Sequence, residues 1–363
     1  MKFVREELDF LKLYVMLSDT RSFLNDKIHI NFIKEKDSII FSQLSYKFNL
    51  ITVLQKNLST LKESFNILVE TNQLFSLVSL LPKNSGINIS KEEISFEGSK
   101  YQLPKYEGDY SVVDKFLLLT SSPKVEEIKI VDLEKMPLVK NYAGIDELDT
   151  IGIIENYFVA SNRTDVAGAI KTSNTIDDMI FLPTEIASII TSYGLKSIVL
   201  NKVEFNETIY NYFIINQTYV IINNMEYALA NIFEDNVRVL YDHPTFVKIN
   251  KNNLLQALTR ILVVAKNNIY NRIFISFDTN NMIIESIDTG YSVEKVPFIK
   301  LSNEIQNVKI TVSASNVKTI LQSLQGNEVT IKISPEQDST AISFVDENNN
   351  SLFVHTLYEN IEE

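Results

Sequence analysis

A chain of 363 residues exceeds one ordinary core and points to two or three domains. Its net charge of -12 argues against a broad phosphate-gripping surface, so nucleic acid would have to meet positive charge confined to one face, or be held by enclosure. The absence of cysteine excludes disulfides, thiolate metal sites and a Cys nucleophile.

The start of the chain, Met1 to Glu7, turns charged at once and lacks the apolar stretch of a secretion signal. No apolar run approaches the roughly 18 residues of a membrane-spanning helix. The expectation is a cytoplasmic protein.

Three similar blocks follow one another. In the first, Leu8, Leu11 and Val15 share a helix face; residues 65–69 read as a strand; and Leu74, Leu77, Val78 and Leu81 fall at i, i+3, i+4 and i+7. A turn at 82–86 and alternating strands over 87–103 complete it. Residues 103–124 show no clear period and read as a joint. The second block expects a short helix near Pro137, because a helix interior tolerates proline badly. A strand over 179–182 then leads to the stripe Ile186, Ile189, Ile190 and Tyr193, a stop at Gly194, and strands over 197–223. A second joint falls at 233–246. The third block places Leu254, Leu258, Ile261 and Ala265 on one helix face and 308–312 in a strand. Val317, Ile320, Leu321 and Leu324 form its second stripe, followed by a turn at 325–327 and strands over 329–357. The stripes begin at 74, 186 and 317, about one small domain apart. Each block reads β-α-βββ-α-βββ. The fold class expected is α+β, three repeated domains (1–118, 119–243 and 244–363), each with two helices packed on antiparallel sheets.

Catalytic equipment is missing. The three histidines, His29, His243 and His355, fall in three different blocks, and a lone strand histidine is ordinarily a packing or surface residue. No HExxH, GxxxxGK[ST], GxSxG or dinucleotide fingerprint occurs. The acidic pairs Glu6-Glu7, Glu126-Glu127, Asp177-Asp178 and Glu362-Glu363 read as solvated. The expectation is a non-enzyme without metal or cofactor. The helices are more telling. The third block's opening helix carries Lys251, Asn252, Asn253, Gln256, Arg260, Lys266, Asn267 and Asn268 with no acid; its closing helix carries Lys318, Gln322 and Gln325. Acid-free helix faces in an acidic chain read either as ordinary solvated faces or as a segregated surface able to touch phosphates without reading sequence.

Several segments resemble the bacterial DNA polymerase III β-subunit family of sliding clamps. Phe181-Leu182-Pro183-Thr184-Glu185-Ile186 is similar to the strand-Pro-helix entry of that family's middle domain. Residues 233–240 resemble its Phe-Pro-Asp-Tyr-x-Arg-Val-(Ile/Leu)-Pro linker, with Glu234 in place of the first proline and Tyr241 in place of the last. Residues 254–260 and 272–276 resemble the opening of the third domain, and 317–329 its second helix. The family's Thr-Asp-Gly-His-Arg-Leu segment is replaced by residues 161–166, and the tail 359–363 runs past the usual end. The Asn-, Ile- and Lys-rich style is that of an AT-rich genome, such as a phage or plasmid carries.

The resemblance implies a head-to-tail homodimeric ring with helices inside, encircling double-stranded DNA, and a processivity factor that tethers DNA polymerase and meets a clamp loader through linear peptides. Matching by position puts Arg21, Lys140, Lys196, Arg260, Lys266 and Lys318 toward DNA. It puts Tyr101, Gln102, Leu103, Val263 and Val264 at the ring interface. It lines a partner-peptide groove with Thr164, Val166, Arg238, Val239, Asn316, Val354 and Thr356, shallower than usual because Arg163 and Thr164 replace Gly and His. The rival reading, a β-rich structural or carbohydrate-binding repeat protein such as a virion component, explains the strands but not the paired helices. A hydrolase using scattered carboxylates is weaker still.

Overall fold

The apolar stripes become helices and the alternating runs become strands. The structure, a computed structural model, describes residues 1–18, 26–96, 98–102, 104, 106, 111–162, 166–223, 229, 233, 238, 243–265, 271–286, 291–302, 308–333 and 341–355. Two compact units are made of interleaved segments. The first holds Met1–Val131 and Glu185–Met225; the second holds Asp132–Thr184 and Glu226–Glu363.

In the first unit, β1 (Lys2–Val4) pairs with β6 (Gly86–Ile89), which continues to β7 (Glu93–Phe96) and β8 (Ser99–Gln102) as a four-stranded sheet. A larger sheet of eight antiparallel strands begins with β5 (Phe65–Glu70), β2 (Lys27–Ile33), β3 (Ser38–Leu44) and β4 (Phe48–Gln55). It continues through β14 (Thr218–Ile222), β13 (Thr208–Ile215), β12 (Ile198–Phe205) and β9 (Lys124–Ile130). The β4·β14 seam runs from Phe48↔Ile222 to Thr52↔Thr218. It therefore joins first-block to second-block strands in one ladder.

Two of this unit's helices lie where the sequence expects them. The stripe at Leu74 forms α2 (Thr71–Ser79), burying Leu74 and Val78. The stripe at Ile186 forms α5 (Thr184–Tyr193), stopped by Gly194 at φ +60°. The first block opens differently from expectation: a 3-10 turn over Arg5–Leu8 precedes a short α1 (Leu11–Met16), and the buried face is Leu8, Leu11 and Tyr14, while Val15 is only half-buried. Tyr14 is fully buried. Its hydroxyl donates to the Phe41 carbonyl at 2.9 Å and lies 3.1 Å from Thr52 Oγ1, which meets Thr218 Oγ1 at 2.7 Å across the seam. Burial holds this phenol well above its ordinary pKa. Tyr14→Phe is expected to cost about 1–2 kcal/mol, since a buried acceptor loses its donor. Urea unfolding measures it, and a midpoint equal to the parent's would show that the hydroxyl contributes nothing.

The joint expected at 103–124 instead contains a helix, α3 (Ser111–Ser121). Its Val113, Phe116 and Leu119 are buried against Ile40, Ile51, Leu68, Val203, Tyr212 and Ile221. Ile40 and Ile51 neighbour Phe41 and Thr52 in sequence, so their side chains point to the other side of the sheet from Tyr14. α3 thus covers the face that α1 does not.

The second unit holds α4 (Met136–Lys140), which starts with proline in its first turn as expected. Among the described residues, two long strands run between α4 and α5, β10 (Thr150–Ser161) and β11 (Val166–Pro183), with bulges around Glu155. The described residues of the other two blocks form four strands there, one more than the sequence pattern counts. In the third block these are β16 (Arg272–Phe277), β17 (Asn281–Ser286), β18 (Val293–Leu301) and β19 (Lys309–Ser313). β15 (Phe246–Asn250) leads into α6 (Lys251–Ala265), which buries Leu254, Leu258 and Ile261. β19 leads into α7 (Ala314–Ser323), burying Val317, Ile320 and Leu321. β20 (Glu328–Lys332), β21 (Ala341–Val345) and β22 (Asn350–His355) complete a ten-stranded sheet, and β11 joins it by pairing Val166↔Val354 through Ile170↔Asn350.

Candidate functional site

Charge is segregated by element. The helices α1, α2, α4, α6 and α7 contain no Asp or Glu, α3 contains one, Asp114, and α5 contains one, Glu185. That carboxylate is 2.9 Å from Lys47 Nζ, whose residue is 5 % exposed. In a chain with 46 acids this is a strong bias. Within each unit the helices also meet. α1 packs on α2, and Lys12 of α1 sits over the Tyr193 ring at the end of α5, 5.4 Å from its centre. α6 packs on α7, and Lys251 Nζ donates to the Leu324 carbonyl at 2.8 Å. Tyr142, just past α4, meets Ser323 at the end of α7 through a 2.7 Å hydroxyl pair.

Of the cations expected to face DNA, Lys140 ends α4, Lys318 lies half-buried on α7, and Lys196 is exposed just past Gly194. Arg21 and Lys266 lie outside the described residues. Arg260 is already engaged: its Nε and Nη2 donate to the two Glu294 oxygens at 2.8 and 2.7 Å, tying α6 to β18. Those hydrogen bonds hold the Glu294 carboxyl below its usual range. Sequence reasoning missed Glu294, 34 residues away with no local signal.

The described residues expected at the ring interface lie on β8 and on α6. All four residues of β8 are exposed, and Tyr101 stacks on Phe96 at 5.4 Å. Gln102 is exposed on the same strand; Leu103 lies outside the described residues. On α6, Val263 is 77 % exposed and Val264 half-buried.

Of the groove residues, the backbones of Val166 and Val354 are brought opposite each other in the β11·β22 ladder. Asn316 opens α7, its backbone N–H donating to Ser313 Oγ at 3.3 Å. Arg238 is exposed, lies over the Phe233 ring at 5.9 Å, and pairs with Glu155. Glu155 sits at the β10 bulge with φ +53°, a conformation unusual for a non-glycine residue, and nothing in its sequence neighbourhood announces it. Thr164, Val239 and Thr356 lie outside the described residues.

No group of three His, Asp or Glu side chains able to hold a metal occurs among the described residues. The second histidine, His243, accepts the Thr245 N–H at 3.2 Å, as a turn residue would. His29 lies on β2. Burial pushes its pKa down to about 4, and Asp114 of α3 opposes the shift weakly. The folded state therefore favours neutral imidazole. The stability this contributes is fully present above the ordinary histidine value of about 6.5 and is lost as pH falls toward about 4. The melting temperature is expected to fall across that window and to fall less in His29→Gln. Parallel profiles for the two proteins would contradict the assignment.

No family model matches the sequence, and no curated protein matches it. Solved structures do match, over nearly the whole chain. The DNA polymerase sliding clamp from Pseudomonas aeruginosa is 14 % identical, with a TM-score of 0.68 over 99 % of both chains. Caulobacter crescentus pol III beta is 14 % identical, with a TM-score of 0.69 over 98 % of this chain and 99 % of the other. The DNA polymerase III β subunit from Thermotoga maritima is 13 % identical, with a TM-score of 0.67 over 98 % of both. The chain therefore has the sliding-clamp fold. Among the described residues, no helix is long and apolar enough to cross a membrane.

Proposed function

We propose, from this fold, that the protein is a sliding clamp: a non-catalytic processivity factor that encircles duplex DNA and tethers a polymerase. The observation that carries the proposal is the repeated seam. In the first block, the opening five residues of β4, the strand just upstream of the one that enters α2, pair with the last strand of the second block, β14. In the second block, the opening five residues of β11, upstream of its run into α5, pair with the last strand of the third block, β22. Continuing the pattern, the first five residues of β18 take the last strand of a first block, β8. That β8 comes from a second copy, because an open edge of this kind needs a partner. Two such heterologous joints close a two-copy ring. The same pattern supports a reading as three domains of about 1–118, 119–243 and 244–363, sharing sheets across their boundaries.

The acid-free helices then supply the DNA-facing layer, with Lys140, Lys196 and Lys318 making sliding-compatible phosphate contacts beside Arg21 and Lys266. Arg260 contributes only if phosphate displaces Glu294. Partner peptides from the polymerase and loader would dock where Val166, Val354 and Arg238 lie, together with Thr164, Val239, Asn316 and Thr356. Val239→Asp is expected to abolish binding of a labelled peptide from the cognate polymerase's C-terminus; equal affinity for wild type and variant would place the partner site elsewhere.

The test of the function is topological. Tagged protein produced in its own host and captured on nicked circular plasmid should resist high salt and be released by a single cut in the DNA. Salt-sensitive binding that ignores the cut would contradict enclosure.

A further inference from the structure

We propose that the ring-closing joint is built one hydrogen-bond donor short by Pro297, so that it opens more readily than the two seams inside the chain. This rests on the ring reading above and specifies the strength of its closure. In the β17·β18 ladder, the backbone N–H of Phe298 donates to Asn280 at 3.0 Å and that of Ser286 donates to Ser292 at 2.9 Å. With the register Asn281↔Pro297 through Glu285↔Val293, the even-numbered residues of β18 therefore bond toward β17. The odd-numbered ones, Val293, Lys295 and Pro297, turn their backbone groups to the other side. β15 occupies that side only from Phe298 onward, through Ile249↔Phe298, Lys248↔Lys300 and Val247↔Leu301. Among the described residues the open edge is thus the stretch 293–297, at the start of its strand as the seam-forming stretches of β4 and β11 are at the start of theirs.

The three edges differ in proline content. Phe48 to Thr52 and Val166 to Ile170 contain no proline, and each spans five paired positions. On β18 the third outward position is Pro297, which has a carbonyl but no N–H. Lys295, the second outward position, and Pro297 are both exposed. Glu294 beside Lys295 is drawn back onto α6 by Arg260. Proline and lysine on an open edge are also the devices that stop unrelated strands from adding there. The occupant the edge fits is an exposed, short, antiparallel strand of a second copy, and β8 with its four exposed residues is such a strand.

The test uses the full chain, with Pro297→Ala and Pro297→Val, by dilution through the dissociation range in sedimentation and by exchange of labelled subunits. Restoring one N–H is expected to strengthen each joint about fivefold, and with two joints per ring to lower the dissociation constant about twenty-five-fold. Subunit exchange slows accordingly. Both variants must show it, because alanine adds little beyond the donor. Lys295→Pro, which removes another outward N–H, is expected to shift the equilibrium the other way by a similar factor. A dimeric wild type whose dissociation constant is unchanged in both Pro297 variants overturns the missing-donor proposal while leaving the ring intact. Strengthening by valine alone overturns it too, since the side chain would then be the cause. A wild type that stays monomeric at every concentration overturns the ring reading itself.

Discussion

Val263→Asp is expected to turn the proposed two-copy ring into monomers without unfolding the chain. Val263 is 77 % exposed on α6, so aspartate there costs the isolated subunit little. Leu254, Leu258 and Ile261, which hold that helix to its own sheets, are untouched. In the closed ring the same position would be covered. A carboxylate buried against apolar surface without a partner costs several kcal/mol, enough to weaken association by at least about a hundredfold. Sedimentation at micromolar concentration reads the mass, and circular dichroism checks the fold. Val199→Asp, an exposed valine on β12, is the control and should leave the mass unchanged. A Val263→Asp protein that keeps wild-type mass would remove α6 from the interface.

Phe116→Ala is expected to destabilise the protein by about 3–4 kcal/mol, the usual cost of removing a buried phenylalanine. Phe116 is 5 % exposed, packs edge-on to Tyr210 with ring centres 6.3 Å apart, and sits between Val113 and Leu119 on the buried face of α3. The neighbouring Lys115 donates to the Tyr210 hydroxyl at 2.6 Å, fastening the same helix a second time. If 103–124 were a loose linker, the substitution would be close to neutral. Denaturant titration separates the two outcomes, and a change near zero would mean that α3 does not hold the sheet face it covers.

That helix also shows where the sequence stops being legible. The stripes at Leu74, Ile186, Leu254 and Val317 are read directly because polar residues separate the apolar ones at helical spacing. In α3 the apolar residues Val112, Val113, Phe116, Leu117, Leu118 and Leu119 run almost together, so no single face stands out. Leu118 is 60 % exposed, which no periodicity announces. The opening helix of the first block is a second case. Leu8, Leu11 and Val15 have helical spacing, yet the 3-10 turn over Arg5–Leu8 rotates Tyr14 inward instead.

The candidate sites divide in the same way. The acid-free helices are a property of composition and can be read from the residue order alone. The Arg260–Glu294 and Arg238–Glu155 pairs join residues far apart in sequence, and only the folded chain reveals that two expected ligand-binding arginines already have carboxylate partners. Pro297 is plain in the sequence, but its meaning depends on which way its backbone nitrogen points. That is set by the parity of the β17·β18 ladder.

Head-to-tail closure of this chain around a hole is tested most directly by imaging the purified protein while measuring its mass. Closed rings of two copies are expected, with twice the 41.5 kDa of one chain and six-fold pseudo-symmetric outlines in class averages. Single chains at all concentrations, or open filaments of unlimited length, would contradict it.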